Sequence, residues 1–165
     1  MEHVSNLPLA PAAAWAELTS EDFLRAFADE VGVHVGDLSC ESADGRESAT
    51  MHWSFETDRP GIPDLAKKFL PDNVHLTWSQ WWDPLDEDEA SGRIDVVLKG
   101  RPSARAVGIC RLAPEVGGSR LTTSTTTKAD LPFPIAGTVE SRVDKDLIGW
   151  IISVQARVLL RRSGG

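Results

Sequence analysis

The stretch from Phe133 to Arg162 constrains this chain more than any other. At about 100° per residue, Ala136, Val139, Val143, Leu147, Trp150, Ile151, Val154 and Val158 form one continuous face of a single long helix. Asp144, Lys145, Ser153, Arg157 and Arg161 fall outside that face or at its edge. An amphipathic helix of this length must lay its stripe on something apolar, and the strands that precede it are the available partner. Ile148, Ile152 and Leu159 make a second apolar stripe where a helix held by one sheet should be polar. The pattern predicts that the N-terminal helices or a loop of the same chain cover it; a second subunit is the runner-up, so the chain is expected to be a monomer or a homodimer.

Upstream, Glu2–Leu9 is a strand candidate ended by Pro8 and Pro11. Pro11 suits the first turn of a short helix continuing through Ala12–Leu18. Thr19 or Ser20 can cap a second, with Glu21 and Asp22 in its first turn and Phe23, Leu24 and Phe27 on its apolar face. From Val31 the period changes to two: Val31, Val33 and Val35 alternate with Gly32, His34 and Gly36. Beyond the Asp44-Gly45 turn, Met51, Trp53 and Phe55 alternate with polar residues. A segment punctuated by Pro60, Gly61 and Pro63 leads into a short helix over Asp64–Leu70, stopped by Pro71. Asn73–Trp82, Arg93–Lys99, Ser103–Leu112 and Arg120–Lys128 read as further strands, with an acidic loop over Asp83–Gly92. Closely spaced strands joined by turns imply an antiparallel sheet. The predicted architecture is α+β: a helix-grip fold, in which a curved antiparallel sheet of about seven strands wraps a long C-terminal helix, with two short helices after strand 1. Residues 1–165 are read as one domain.

Charge and composition remove several function classes. The formal net charge of −8 argues against nucleic acid or an anionic membrane surface as partner. There is no apolar run long enough for stable membrane insertion and no cationic leader, so a cytoplasmic location is expected. Cys40 and Cys110 are far apart and lack metal-ligand spacing, which predicts reduced packing thiols.

Three stretches carry a family likeness: LPLAPAAAWAELTSEDFLRAF near the start, IPDLAKKFLPDNVHLTWSQWW in the centre, and LPFPIAGTVESRV leading into the last helix. With the order of elements, they make the chain resemble the START-like superfamily of birch-pollen-allergen and polyketide-cyclase proteins, and within it an actinobacterial branch. The resemblance implies a helix-grip fold with an interior cavity of the kind used for sterols, lipids, polyketides and other apolar ligands. It transfers no catalytic residues.

The residues support a cavity in their own right. Ala104, Ala106, Gly108, Cys110 and Leu112 make a mostly small strand face, and Thr123, Thr125 and Thr127 make a slim one beside Leu121. Small side chains opposite Val143 and Leu147 leave volume that a solid core would fill. The aromatics Trp53, Phe55 and Trp78 are expected to wall it, and Gln80 or a threonine hydroxyl to orient a ligand. Leu65 and Phe69 are the predicted inner face of a door over Pro60–Pro71. Glu140, at the edge of the helix stripe, is either a polar anchor in the pocket or a rim carboxylate.

Catalytic and metal patterns are thin. His3, His34, His52 and His75 form no HxH or HxxxH pair, and strand parity sends His52 and His75 to the solvent face. No serine sits in a nucleophile elbow, Gly117-Gly118 reads as a hairpin turn, and Asp86–Glu89 as a solvated acidic turn. No catalytic residue, metal or cofactor is therefore expected. The reading favoured is a non-catalytic carrier or sensor for an apolar or amphipathic small molecule, such as a lipid or polyketide. An aromatase/cyclase-like enzyme and a filled-core interaction module are the alternatives.

Overall fold

The computed structural model describes residues 1–58, 64–68, 70–100, 103–132 and 134–164, the side chains of residues 65 and 66 excepted. The chain opens with β1 (Glu2–Leu7), α1 (Pro11–Leu18) and α2 (Glu21–Val31). β2 (His34–Ala43), β3 (Arg46–Glu56) and the short α3 (Asp64–Lys67) follow. β4 (Asn73–Trp82), β5 (Ala90–Lys99), β6 (Ala104–Glu115) and β7 (Gly118–Ala129) complete a seven-stranded sheet in the order β1-β7-β6-β5-β4-β3-β2. Every neighbouring pair is antiparallel. The α+β helix-grip architecture expected from the periodicity is the one observed.

Local chemistry sets the joints. Ser20 caps α2, its hydroxyl accepting from the Phe23 N–H at 3.2 Å. Gly32 ends α2 in the left-handed region (φ 81°), so Val31 belongs to the last helical turn and not to the strand its spacing suggested. Both central residues of the β2–β3 turn, Asp44 (φ 55°) and Gly45 (φ 77°), have the positive φ that a tight hairpin requires. The β2–β3 pairing slips between Val35 and Leu38, bulging the sheet at Gly36 and Asp37.

The terminal helix is uninterrupted but not uniform. α4 (Ile135–Arg142) passes into a π-helical stretch, Val143–Ile148, and then α5 (Gly149–Ser163). The Gly149 N–H reaches back five residues to the Asp144 carbonyl. Such a widened turn resets the angular phase of everything after it. This explains why Trp150, assigned to the stripe, is only half-buried; Asp144, outside the stripe on a uniform wheel and at the start of the widened turn, is buried. The second stripe is buried within the chain: Ile152 and Leu159 lie on α5, against which α1 and α2 pack, and Ile148 lies in the π-helical stretch and faces the sheet. Glu30 of α2 pairs with Arg161 (3.1 Å) and Arg157 (4.0 Å), and Glu17 of α1 with Arg162.

Candidate functional site

Between sheet and helix the interior divides into two ends. Under α2, alternation along β3 and β4 turns Trp53 and Trp78 inward, where they stack 5.4 Å apart at 12°. Phe27 meets both edge-on at 5.4 and 5.2 Å. Gln80 is tied into the same end: its amide donates to the Leu18 carbonyl at 2.9 Å and its oxygen accepts from the Trp78 indole at 3.4 Å. This end is solid.

The other end is aliphatic. Leu76 faces Leu98, Leu98 faces Ala104, Val96 faces Ala106, and Ala106 faces Thr127 across β4 to β7. Val143, Leu147, Ile148 and Ile151 close over them from the π-helical stretch and the start of α5. What remains is a cavity of about 20 Å³, room for about one water, whose accessible wall is wholly apolar. The backbone of α3 packs against the same stretch.

A polar knot lies behind this wall. Thr127, on the cavity lining, donates its hydroxyl to Asp144 at 2.9 Å. The Met1 ammonium lies 3.3 Å from Asp144 and donates to the Thr125 carbonyl at 2.6 Å. His3 of β1 sits against the Gly149 backbone, its Nε2 buried without a hydrogen-bond partner. Burial holds its imidazole below the ordinary 6.5, with Asp144 pulling the other way and the Met1 ammonium adding to the depression. The one cavity-lining hydroxyl already donates to a carboxylate, so the wall offers a ligand shape and apolar contact rather than an acid or base.

The structure brings together Ala104, Ala106, Thr127, Val143 and Leu147 of the residues singled out from sequence. Trp53, Phe55, Trp78 and Gln80 are buried in the core beyond the cavity lining. Gly108 fronts filled space: a Cβ there would come within 2.5 Å of Ile94 Cγ1. Cys110 accepts from the Thr123 hydroxyl at 3.7 Å, and burial pushes its thiol up to about 11, which keeps it a protonated packing group. Thr125 donates to the Met1 carbonyl at 3.4 Å. Glu140 accepts from the Ala129 N–H at 2.9 Å and lies 3.7 Å from Lys128, anchoring α4 to the end of β7. The Leu65 side chain and Phe69 lie outside the described residues, as does much of the predicted door. Sequence reasoning passed over Leu76, Leu98, Ile148 and Ile151 as lining. Strand parity and spacing from Ala106 could have pointed to the first two and the main helix stripe to Ile151, whereas a uniform wheel turned Ile148 away from the sheet.

The fold has solved relatives at low identity. An uncharacterized protein from Rhizobium leguminosarum superposes with a TM-score of 0.60 at 10% identity, covering 98% of this chain and 93% of that one. TTHA0849 from Thermus thermophilus gives 0.53 at 16%, covering 99% and 97%. Ara h 8.0201 gives 0.52 at 14%, covering 96% of each. These are similarities of helix-grip fold. No helix among the described residues is long and apolar enough to cross a membrane. Comparison with curated proteins finds no match. At the level of sequence family the assignment is direct: residues 2–157 match the model described as "Protein of unknown function (DUF2505)", and the chain belongs to that family.

Proposed function

We propose that this chain is a cytoplasmic carrier or sensor that takes an apolar or amphipathic small molecule, such as a lipid or polyketide, between its sheet and its terminal helix. On the three sequence stretches quoted above, we assign it to the actinobacterial branch of the START-like proteins. The observation that carries the reading is the apolar cavity beneath Val143–Ile151, a span that opens with the stretch Val143–Ile148 whose hydrogen bonding departs from the α pattern. At about 20 Å³ the cavity is a closed seed, so uptake requires the π-helical stretch, against which α3 packs, to lift from Leu76, Leu98 and Ala106. A widened helical turn is the element of the grip best suited to that movement. Binding rather than catalysis fits a wall whose single hydroxyl, on Thr127, is already engaged.

An uncharged fluorescent probe, N-phenyl-1-naphthylamine, tests the assignment. Wild-type protein is expected to bind it saturably. Ala106→Leu, which fills the seed, should weaken binding by about tenfold, and Leu147→Ala, which enlarges it, should strengthen it. Equal affinity in both variants, each with a native circular dichroism spectrum, would overturn the pocket. Native mass spectrometry of freshly purified protein, followed by solvent extraction, then identifies the chemical class of any resident ligand.

A further inference from the structure

The outer face of the sheet carries a second concavity, unrelated to the cavity beneath the helix. Where β2 bulges between Val35 and Leu38, a cleft of about 260 Å³ opens, lined by Gly36, His52, Ser54, His75, Thr77 and Lys99 together with the Trp53 and Leu76 backbone positions between them. Register explains the gathering. His34, Ser54, His75 and Lys99 are successive cross-strand partners over β2, β3, β4 and β5, while His52 and Thr77 oppose each other one row along. Three of the chain's four histidines therefore stand at one corner of the sheet, in a protein whose net charge is −8.

We propose that this cleft binds the phosphate group of a small, soluble phosphate monoester. Lys99 supplies a fixed positive charge and has no ion-pair partner among the described residues. His75 offers one N–H donor in either tautomer and Ser54 a hydroxyl, while His52 Nδ1 and Thr77 Oγ1, 3.1 Å apart, share one hydrogen bond and leave one further donor between them, the Nε2–H or the hydroxyl according to the tautomer. Donors converging from three strands suit a tetrahedral oxyanion with several acceptor oxygens better than one planar carboxylate. The volume exceeds what phosphate alone fills, leaving room for a small organic body. Among the described residues no carboxylate lines the cleft. Asp37 follows the lining Gly36 in the bulge, Glu56 and Asp95 stand one row out on either side, and Asp95 is already engaged by Arg105 and Arg93. A bound cation is the poorer occupant, since no cluster of three or more His, Cys, Asp or Glu among the described residues is placed to hold a metal ion. An anionic bilayer is disfavoured by the overall charge.

The test is a two-dimensional amide NMR titration of the full chain with inorganic phosphate and with phenyl phosphate, at ionic strength held constant with chloride. Saturable shifts confined to Gly36, His52, Ser54, His75, Thr77 and Lys99 are expected, at lower concentration for phenyl phosphate. Lys99→Ala should weaken binding by about tenfold without changing the melting temperature, because the side chain is exposed. Ser54→Asp, which puts a carboxylate inside the cleft, should abolish it. Scattered, non-saturating shifts, or unchanged affinity in either variant, would overturn the site. Co-sedimentation with phosphatidylcholine vesicles containing phosphatidic acid, lost in Lys99→Ala and without a response to the soluble probes, would overturn the assignment to a soluble ester.

Discussion

The two ends of the interior are built from one sheet and one helix, yet they differ in kind. Under α2 the packing is aromatic, interlocked and anchored by Gln80; under the π-helical stretch it is aliphatic, with methyl-sized gaps and a helix of irregular hydrogen bonding. The extra cover explains the difference. α2 adds a second layer over β3 and β4, so large rings can be buried on all sides there. Over β5 and β6 the helix is the main lid, and what lies beneath can change only if that lid moves. Stability is thereby concentrated at one end and adaptability at the other.

The sharpest way to break this comparison is Trp78→Ala. The ring is fully buried against Phe27 and Trp53, so the loss should be about 3–5 kcal/mol in urea unfolding. A loss under about 1 kcal/mol would mean that the aromatic end is no firmer than the other. A smaller effect is expected from Thr127→Val, which removes a hydrogen bond to the buried Asp144 carboxylate and should cost about 1.5–3 kcal/mol. Its diagnostic is local: amide exchange should accelerate at Val143–Gly149 and stay unchanged at Trp53 and Trp78. Uniform acceleration would deny the two ends their independence.

The smallest effect is a pH slope. The His3 imidazole is held below its ordinary 6.5 in the folded chain, so as pH falls through that value the unfolded chain takes up the proton first. Stability should decline from about pH 6.5 down to the folded-state value and then level off as far as this group is concerned. His3→Gln should flatten that part of the curve in thermal melts between pH 5 and pH 8; an unchanged slope would remove His3 from the account.

Much of this was legible in the residues. Alternation in β3 and β4, the Asp44-Gly45 hairpin, the Ser20 cap and the long apolar stripe place the elements and their order, because each is a local preference that packing reinforces. The cavity was legible only in part. Ala104, Ala106, Thr127, Val143 and Leu147 were found from side-chain size and face, but Trp53 and Trp78 have α2 against them and Gln80 has the end of α1, tertiary facts that no strand periodicity contains. Gly108 looked like open space and is the seat of Ile94. Trp150 was misplaced because a wheel assumes one angle per residue throughout, and the π-helical stretch before it violates that assumption. His52 and His75 could be sent to the solvent face by parity, but their meeting with His34 at one corner depends on strand register.

The bulge in β2 has a consequence beyond the cleft it opens. An unclosed sheet ends in two unpaired rims, and a flat rim is a template on which another chain's backbone can dock. β2 is one such rim, ten residues long and mostly exposed. The slip between Val35 and Leu38 breaks its run of outward-facing amides and carbonyls into two short lengths, and Asp37 and Glu41 put carboxylates along it. The irregularity that makes room for a ligand on the surface thus also guards the molecule against growing into a fibre.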